Sequence, residues 1–257
     1  MTGVRGGPAP TSQAILALAA LELRLLARRG ENVLATIVIP VAVLLFFAGT
    51  SVIPQSTKPV NFLLPGAIAL GIIAAGLVNL GIATAYDRSY GILKRLGGSP
   101  LPRWGLIAAK LVAVGVIELV QVVTLIAVAV VVLGWSPGAN WSPLLLVVAL
   151  VLGTAAFAGL GLVLAGTLRA EAVLALANGL FLVFLMLGGI ILPIEHLPGF
   201  LQAIAAALPA NALSVLLRAA LDSGGAGAAA SIPEPLAILA AWAVVATVLA
   251  ARCFRWD

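Results

Sequence analysis

Unbroken apolar runs, each bounded by glycine, proline or charge, dominate this chain. Six of them, at about 33–53, 62–86, 106–133, 144–168, 172–192 and 235–252, have the length a helix needs to cross a hydrocarbon core roughly 30 Å thick. The polar–apolar alternation of an outer-membrane barrel is missing, so the runs are read as helices, which satisfy their own backbone groups in lipid. Pro54, Pro59, Ser136-Pro137-Gly138 and Ser142-Pro143 punctuate the gaps.

Two further segments are apolar without fitting a simple span. At 100° per residue, Gln13, Ala17, Ala20, Arg24 and Arg28 fall on one face of a helix over Ser12 to Arg29. Ile15, Leu16, Leu18, Leu23, Leu25 and Leu26 cover the opposite face, which predicts an amphipathic interfacial helix capped by Thr11 or Ser12. Glu22 lies on the apolar side and faces either a protein neighbour or lipid headgroups. The second segment, Phe200 to Leu221, is interrupted by Pro209, Asn211 and Arg218. It predicts a re-entrant helical hairpin or a pair of interfacial helices on the outer face, since a seventh span would carry Arg252 and Arg255 outside.

Composition strengthens this picture. Hydrophobic residues make up 63% of 257 positions and charged residues 9%, with mean hydropathy +1.21. A soluble domain carries about 25% charged residues. The net charge of +5 reads as topology rather than nucleic-acid binding: with the N-terminus in the cytoplasm, cytoplasmic segments hold 12 of the 14 basic residues, all but Lys58 and Arg218. The fold expected is therefore all-α and polytopic, with six transmembrane helices, an N-terminal interfacial helix, an extracellular re-entrant segment over 193–222 and both ends cytoplasmic. A disordered tail, 1–11, precedes a single membrane domain, 12–257. Met1 to Pro10 is Gly/Pro-rich and lacks the pattern of a cleaved signal peptide. Gly66, Gly71, Gly76 and Gly81 recur every fifth residue and so spiral around a helix, which predicts close packing on several sides rather than a dimer stripe.

Catalytic signatures are missing. The sequence holds no phosphate loop and no dinucleotide-binding fingerprint. One cysteine, Cys253, and one histidine, His196, exclude a zinc cluster and an intramolecular disulfide. No nucleophile–base pair stands out, so no catalytic, cofactor or metal residue is assigned, and the chain is expected to act by moving. Within the spans, Glu118 and Gln121 sit one turn apart in the third. Burying such an acid costs about 2.5–3.5 kcal/mol on insertion scales, so it faces protein or a water-filled path. It is either a substrate or proton site or an interhelical tether. With Asn79 and Asn178 it completes the candidate substrate-pathway residues.

The loop over 87–104, between the second and third spans, is the most informative stretch. Arg88 to Leu96 predicts a short helix ended by Gly97-Gly98 and Pro100, with Ile92, Leu93 and Leu96 spaced to dock on a surface and Lys94 and Arg95 turned to water, headgroups or an acidic partner. Asp87, Arg88, Gly91, Leu93, Leu96 and Pro100 resemble the cytoplasmic signature of ABC-2 type transporter permeases, although that family more often has Glu at the place of Asp87 and Thr at that of Ile92. Leu192 to Leu201, with Pro193, Leu197 and Pro198, and then Leu208-Pro209 are similar to the family's segment after the fifth span. The nearest subgroup looks like the daunorubicin/doxorubicin-resistance drug exporters.

The resemblance implies a permease in a bacterial plasma membrane that pairs with a second copy or a homologous permease. It also implies a separate cytoplasmic ATPase subunit that binds ATP and Mg in its stead. Asp87, Arg88, Gly91, Leu93, Lys94, Arg95, Leu96 and Pro100 would form the helix seated in that ATPase. Glu22, Arg24 and Arg28 would belong to an interfacial gate helix, and Pro193, Leu197, Pro198 and Pro209 to the outer segment. The function expected is ATP-driven export of an amphipathic drug or lipid-like substrate. Two alternatives stay open: a proton-coupled secondary transporter with Glu118 as proton site, and a non-transporting membrane scaffold subunit.

Overall fold

The apolar periodicity resolves into a helical bundle. The computed structural model describes residues 10–28, 30–49, 59–97, 102–191, 193–221 and 232–253, without the side chains of 26–28, 30–36, 95–97 and 103. Most of the expected tail 1–11 lies outside this description. In order come α1 (Thr11–Arg28), α2 (Gly30–Ala48), α3 (Pro59–Ser89), α4 (Ile92–Gly97), α5 (Arg103–Leu133), α6 (Pro143–Thr167) and α7 (Ala170–Leu187). A short 3-10 turn (Ile194–His196), α8 (Gly199–Ala207), α9 (Pro209–Leu221) and α10 (Pro233–Cys253) follow.

Helices α3, α5, α6, α7 and α10 are long and apolar enough to cross a membrane, and α8 with α9 would make a sixth if that bent pair counts as one span. Five of the six predicted spans are thereby found. The first, 33–53, corresponds to α2, whose apolar stretch is described over Ile37–Ala48; residues 50–58 lie outside the description.

Helix α3 is the axis of the bundle. Of its most apolar window 83% is buried, against 28% in α5 and 22% in each of α7 and α10. Leu64, Ile68, Ile72, Ile73 and Leu77 of α3 pack with Leu125, Phe157, Leu213 and Leu217 in the main core. The outer helices turn Val116, Leu119, Val123, Leu182, Met186, Val244 and Val248 away from the protein, as side chains facing lipid must be.

The glycines of α3 explain how neighbours come so close. A Cβ at Gly66 would lie 2.5 Å from the Ile190 carbonyl oxygen, and one at Gly71 would overlap the Gln121 amide. The expected packing on several sides is thus present, with one correction: Gly76 and Gly81 both meet α6, at Ala158 and Gly161. Gly76 lies in, and Gly81 directly follows, a π-helical stretch of α3, Ala74–Leu80, whose i→i+5 bonding brings residues five apart close to one face.

Termini follow local chemistry. Ser142 caps α6 by accepting from the Leu145 amide at 3.3 Å, with Pro143 in the first turn, where its missing N–H costs nothing. Pro209 starts α9 after a 77° bend from α8, and the Trp242 indole donates to the Ala207 carbonyl at that break, 3.0 Å away.

Candidate functional site

Helices α2, α3 and α7 line a half-open cavity of about 220 Å³. Ile39 and Pro40 of α2, Leu70, Ala74 and Val78 of α3, and Phe181 of α7 form its apolar wall, while Asn79 and Asn178 are its polar members. Ala74, Val78 and Asn79 all belong to the π segment, which sets their side chains on this wall. The Asn178 amide donates to the Leu174 carbonyl at 2.7 Å, which orients its carboxamide. Concave sites that are mostly apolar with a few fixed polar groups are the usual form of small-molecule sites.

Glu118 and Gln121 do not line this cavity. Both are buried, at 3% and 1% exposure, where α5 meets α6 and α3. Thr154 of α6 donates its hydroxyl to Glu118 Oε2, and the Gln121 carboxamide presses on Gly71 of α3. The four candidate pathway residues therefore separate into a cavity pair, Asn79 and Asn178, and a pair buried between helices, in which Glu118 meets Thr154 and the Gln121 carboxamide has no hydrogen-bond partner among the described residues. Thr154, the partner that holds Glu118, was missed because a threonine in an apolar helix ordinarily donates to its own backbone, and here the Leu150 carbonyl, 2.8 Å away, competes with Glu118 for the same hydroxyl proton.

At the end of the bundle that carries α1 and α4, charge and apolar packing interlock. Lys110 of α5 is 1% exposed, with Nζ 2.7 Å from Glu22 Oε1 and 3.4 Å from Asp87 Oδ2. This resolves the anomalous acid of α1: Glu22 faces a protein neighbour. Arg24 is exposed, and the Arg28 side chain lies outside the described residues. Sequence reasoning had counted Lys110 only among the charges that set topology; a lysine two turns inside an apolar helix was the available signal of a buried partner.

The predicted Arg88–Leu96 helix is corrected. Arg88 still belongs to α3 and donates to the Leu168 carbonyl in the α6–α7 connection. The chain turns at Tyr90-Gly91, where Gly91 has φ +70°, and the short helix starts at Ile92. Glycine suits that turn because other residues are strained in the left-handed region. Leu93, expected on a docking face, is fully buried against this chain's own Leu18, Leu106 and Ile107. What faces outward is Tyr90 (72% exposed), Ile92 (43%), Lys94 and Trp104 (57%). The short helix runs to Gly97, its last described residue, where the sequence places its end, and Gly98 lies outside the described residues. The side chains of Arg95 and Leu96, and Pro100 altogether, lie outside the described residues.

At the opposite end of α5 and α6, Pro193 leads into the 3-10 turn, Leu197 accepts from Gln202 at 2.8 Å, and Pro198 immediately precedes α8. Arg218 of α9 is buried, lies 4.3 Å over the Phe62 ring and donates to the Gly189 carbonyl just past α7.

Fold and site together define a multi-pass helical membrane protein with a half-open cavity between three of its helices. The sequence model of the ABC-2 type transporter family matches residues 13–221, and the chain belongs to that family. It is the permease component of an ABC-type transporter, a class that typically pairs with an ATPase subunit. No curated protein matches the chain.

Proposed function

We propose that this permease is the membrane-spanning half of an exporter for an amphipathic substrate, drug or lipid-like, driven by a separate ATPase that binds ATP and Mg. The observation that carries the substrate class is the cavity between α2, α3 and α7: six apolar residues with two carboxamides suit a molecule with an apolar body and a few hydrogen-bonding groups. Charge placement supports cytoplasmic termini, the family resemblance points to a bacterial plasma membrane, and that orientation sets α1 and α4 on the ATPase side. The ATPase would seat on Tyr90, Ile92 and Lys94, while Asp87, Arg88 and Leu93 hold that segment to the bundle and Gly91 shapes its turn. The α8–α9 pair would re-enter from the outer face. Two permease copies, identical or homologous, would complete the transporter, and ATP binding would shift the pair between arrangements. Within the family, the resemblance would place it with the daunorubicin-type drug exporters.

Purification of the tagged chain with its genomic neighbours tests this reading. An ATP-hydrolysing subunit should co-purify, and Gly91→Pro, which cannot adopt positive φ, should release it or uncouple hydrolysis from transport. An intact and fully coupled complex after that change would remove α4 from the interface. Within the same complex, Asn79→Leu and Asn178→Leu should change which amphipathic compounds stimulate hydrolysis; an unaltered response would move the pathway elsewhere.

A further inference from the structure

We infer that Lys110 is a positioning residue that joins the N-terminal helix to the coupling segment, so that both answer the ATPase as one body. The response rests on the permease reading above; the joint itself rests on geometry alone.

Three helices meet at this ammonium. Glu22 comes from α1, Asp87 from the last turns of α3 just before the Gly91 turn, and Lys110 from α5. Apolar packing joins the same parts, with Leu18 and Ala19 of α1 and Leu93 of α4 buried against Leu106, Ile107 and Ala109 of α5. Asp87 and Arg88 thus anchor the foot of the coupling segment in two directions, one toward Lys110 and α1, the other to Leu168. A force on α4 reaches Asp87 within a few residues. From there it passes through Lys110 to Glu22, because a buried cation does not give up its carboxylates cheaply.

The exposures make the joint testable. Lys110 is 1% exposed, whereas the Glu22 and Asp87 side chains are 18% and 24% exposed. Loss of the lysine leaves two acids that water can reach, so the fold survives while α1 loosens. Loss of both acids strands a buried cation.

The experiment uses the full chain in membrane vesicles, alone and with its co-purified ATPase, in a Cys253→Ser background because Cys253 is exposed. Ala19→Cys reports on α1, since Ala19 is 2% exposed. A membrane-impermeant maleimide should label it slowly in the parent and about five- to ten-fold faster with Lys110→Met, the size of effect that one partly buried ion pair carries. Lys110→Arg should restore slow labelling, because it keeps a cation between Glu22 and Asp87. Should Lys110→Met fail to accumulate, Glu22→Gln takes its place with the same expectation, because Lys110 then keeps Asp87. Unchanged labelling, or no rescue by Lys110→Arg, overturns the joint.

The second arm adds ATP and vanadate to the complex and follows Leu16→Cys, an exposed position of α1. Its labelling should respond to nucleotide in the parent and lose that response with Lys110→Met, with the ATPase still bound and its KM for ATP unchanged. A retained response overturns the transmitting role. A chain that binds no ATPase defeats the permease–ATPase reading instead, and the first arm still judges the joint.

Discussion

Glu22, Glu118 and Arg218 are the charges that a hydropathy profile leaves unexplained, and each is answered by a neighbour from another helix. Glu22 meets Lys110, Glu118 meets Thr154, and Arg218 meets the Gly189 carbonyl and the Phe62 ring. For Glu118 the tether reading makes a firm expectation. Glu118→Gln keeps an oxygen for Thr154, so the chain should fold with a melting temperature near the parent's, and transport should keep its pH profile. A flattened profile would instead favour the proton-coupled alternative. Arg218→Met removes a charged donor and leaves the buried Gly189 carbonyl without it. The expected loss is about 1–3 kcal/mol, read as lower thermal stability in detergent. Arg218→Lys should recover only part of this, since an ammonium lacks the planar fork that both bonds and stacks.

Helix pairs are set by where backbones can touch. Gly161 lies against α3, where an added Cβ would come 2.5 Å from the Gly76 carbonyl oxygen, and Gly159 lies against Ala246 of α10. Backbone cannot step aside as a side-chain end can, so Gly161→Ala should destabilise by about 1–3 kcal/mol. Gly71→Ala meets only the movable Gln121 amide and should be milder. Gly179 of α7 has open space around it, so Gly179→Ala should be neutral or stabilising by up to about 1 kcal/mol. Thermal denaturation of the three variants side by side checks the order. The five-residue glycine spacing was visible in the chain, but the π segment that brings Gly76 and Gly81 to one face was not, because i→i+5 bonding is imposed by packing and has no side-chain period of its own.

For the bundle as a unit, the topology assigned from charge makes a prediction at two exposed positions. Phe200 on α8 is 71% exposed, and Lys94 on α4 is exposed. In the Cys253→Ser background, Phe200→Cys should react with an impermeant maleimide from the outside of intact cells, and Lys94→Cys only after the membrane is opened. The reverse pattern would invert the assignment. Ala205 and Arg218 are poor reporters of the same segment, because both are buried between helices.

Span positions were legible because the cost of placing polar groups in lipid acts on each residue singly, so 62–86, 106–133, 144–168, 172–192 and 235–252 could be read off a hydropathy pattern. The same additivity made the charge bias visible. The family signature in 87–104 was legible as a string of residues, yet its geometry was not. Only tertiary packing decided that Arg88 ends α3, that Leu93 turns inward, that Asn79 shares a cavity with Asn178 while Glu118 does not, and that Lys110 sits between two acids far away in the chain. Those outcomes depend on which helices come into contact, and contact between distant segments leaves no mark on either segment alone.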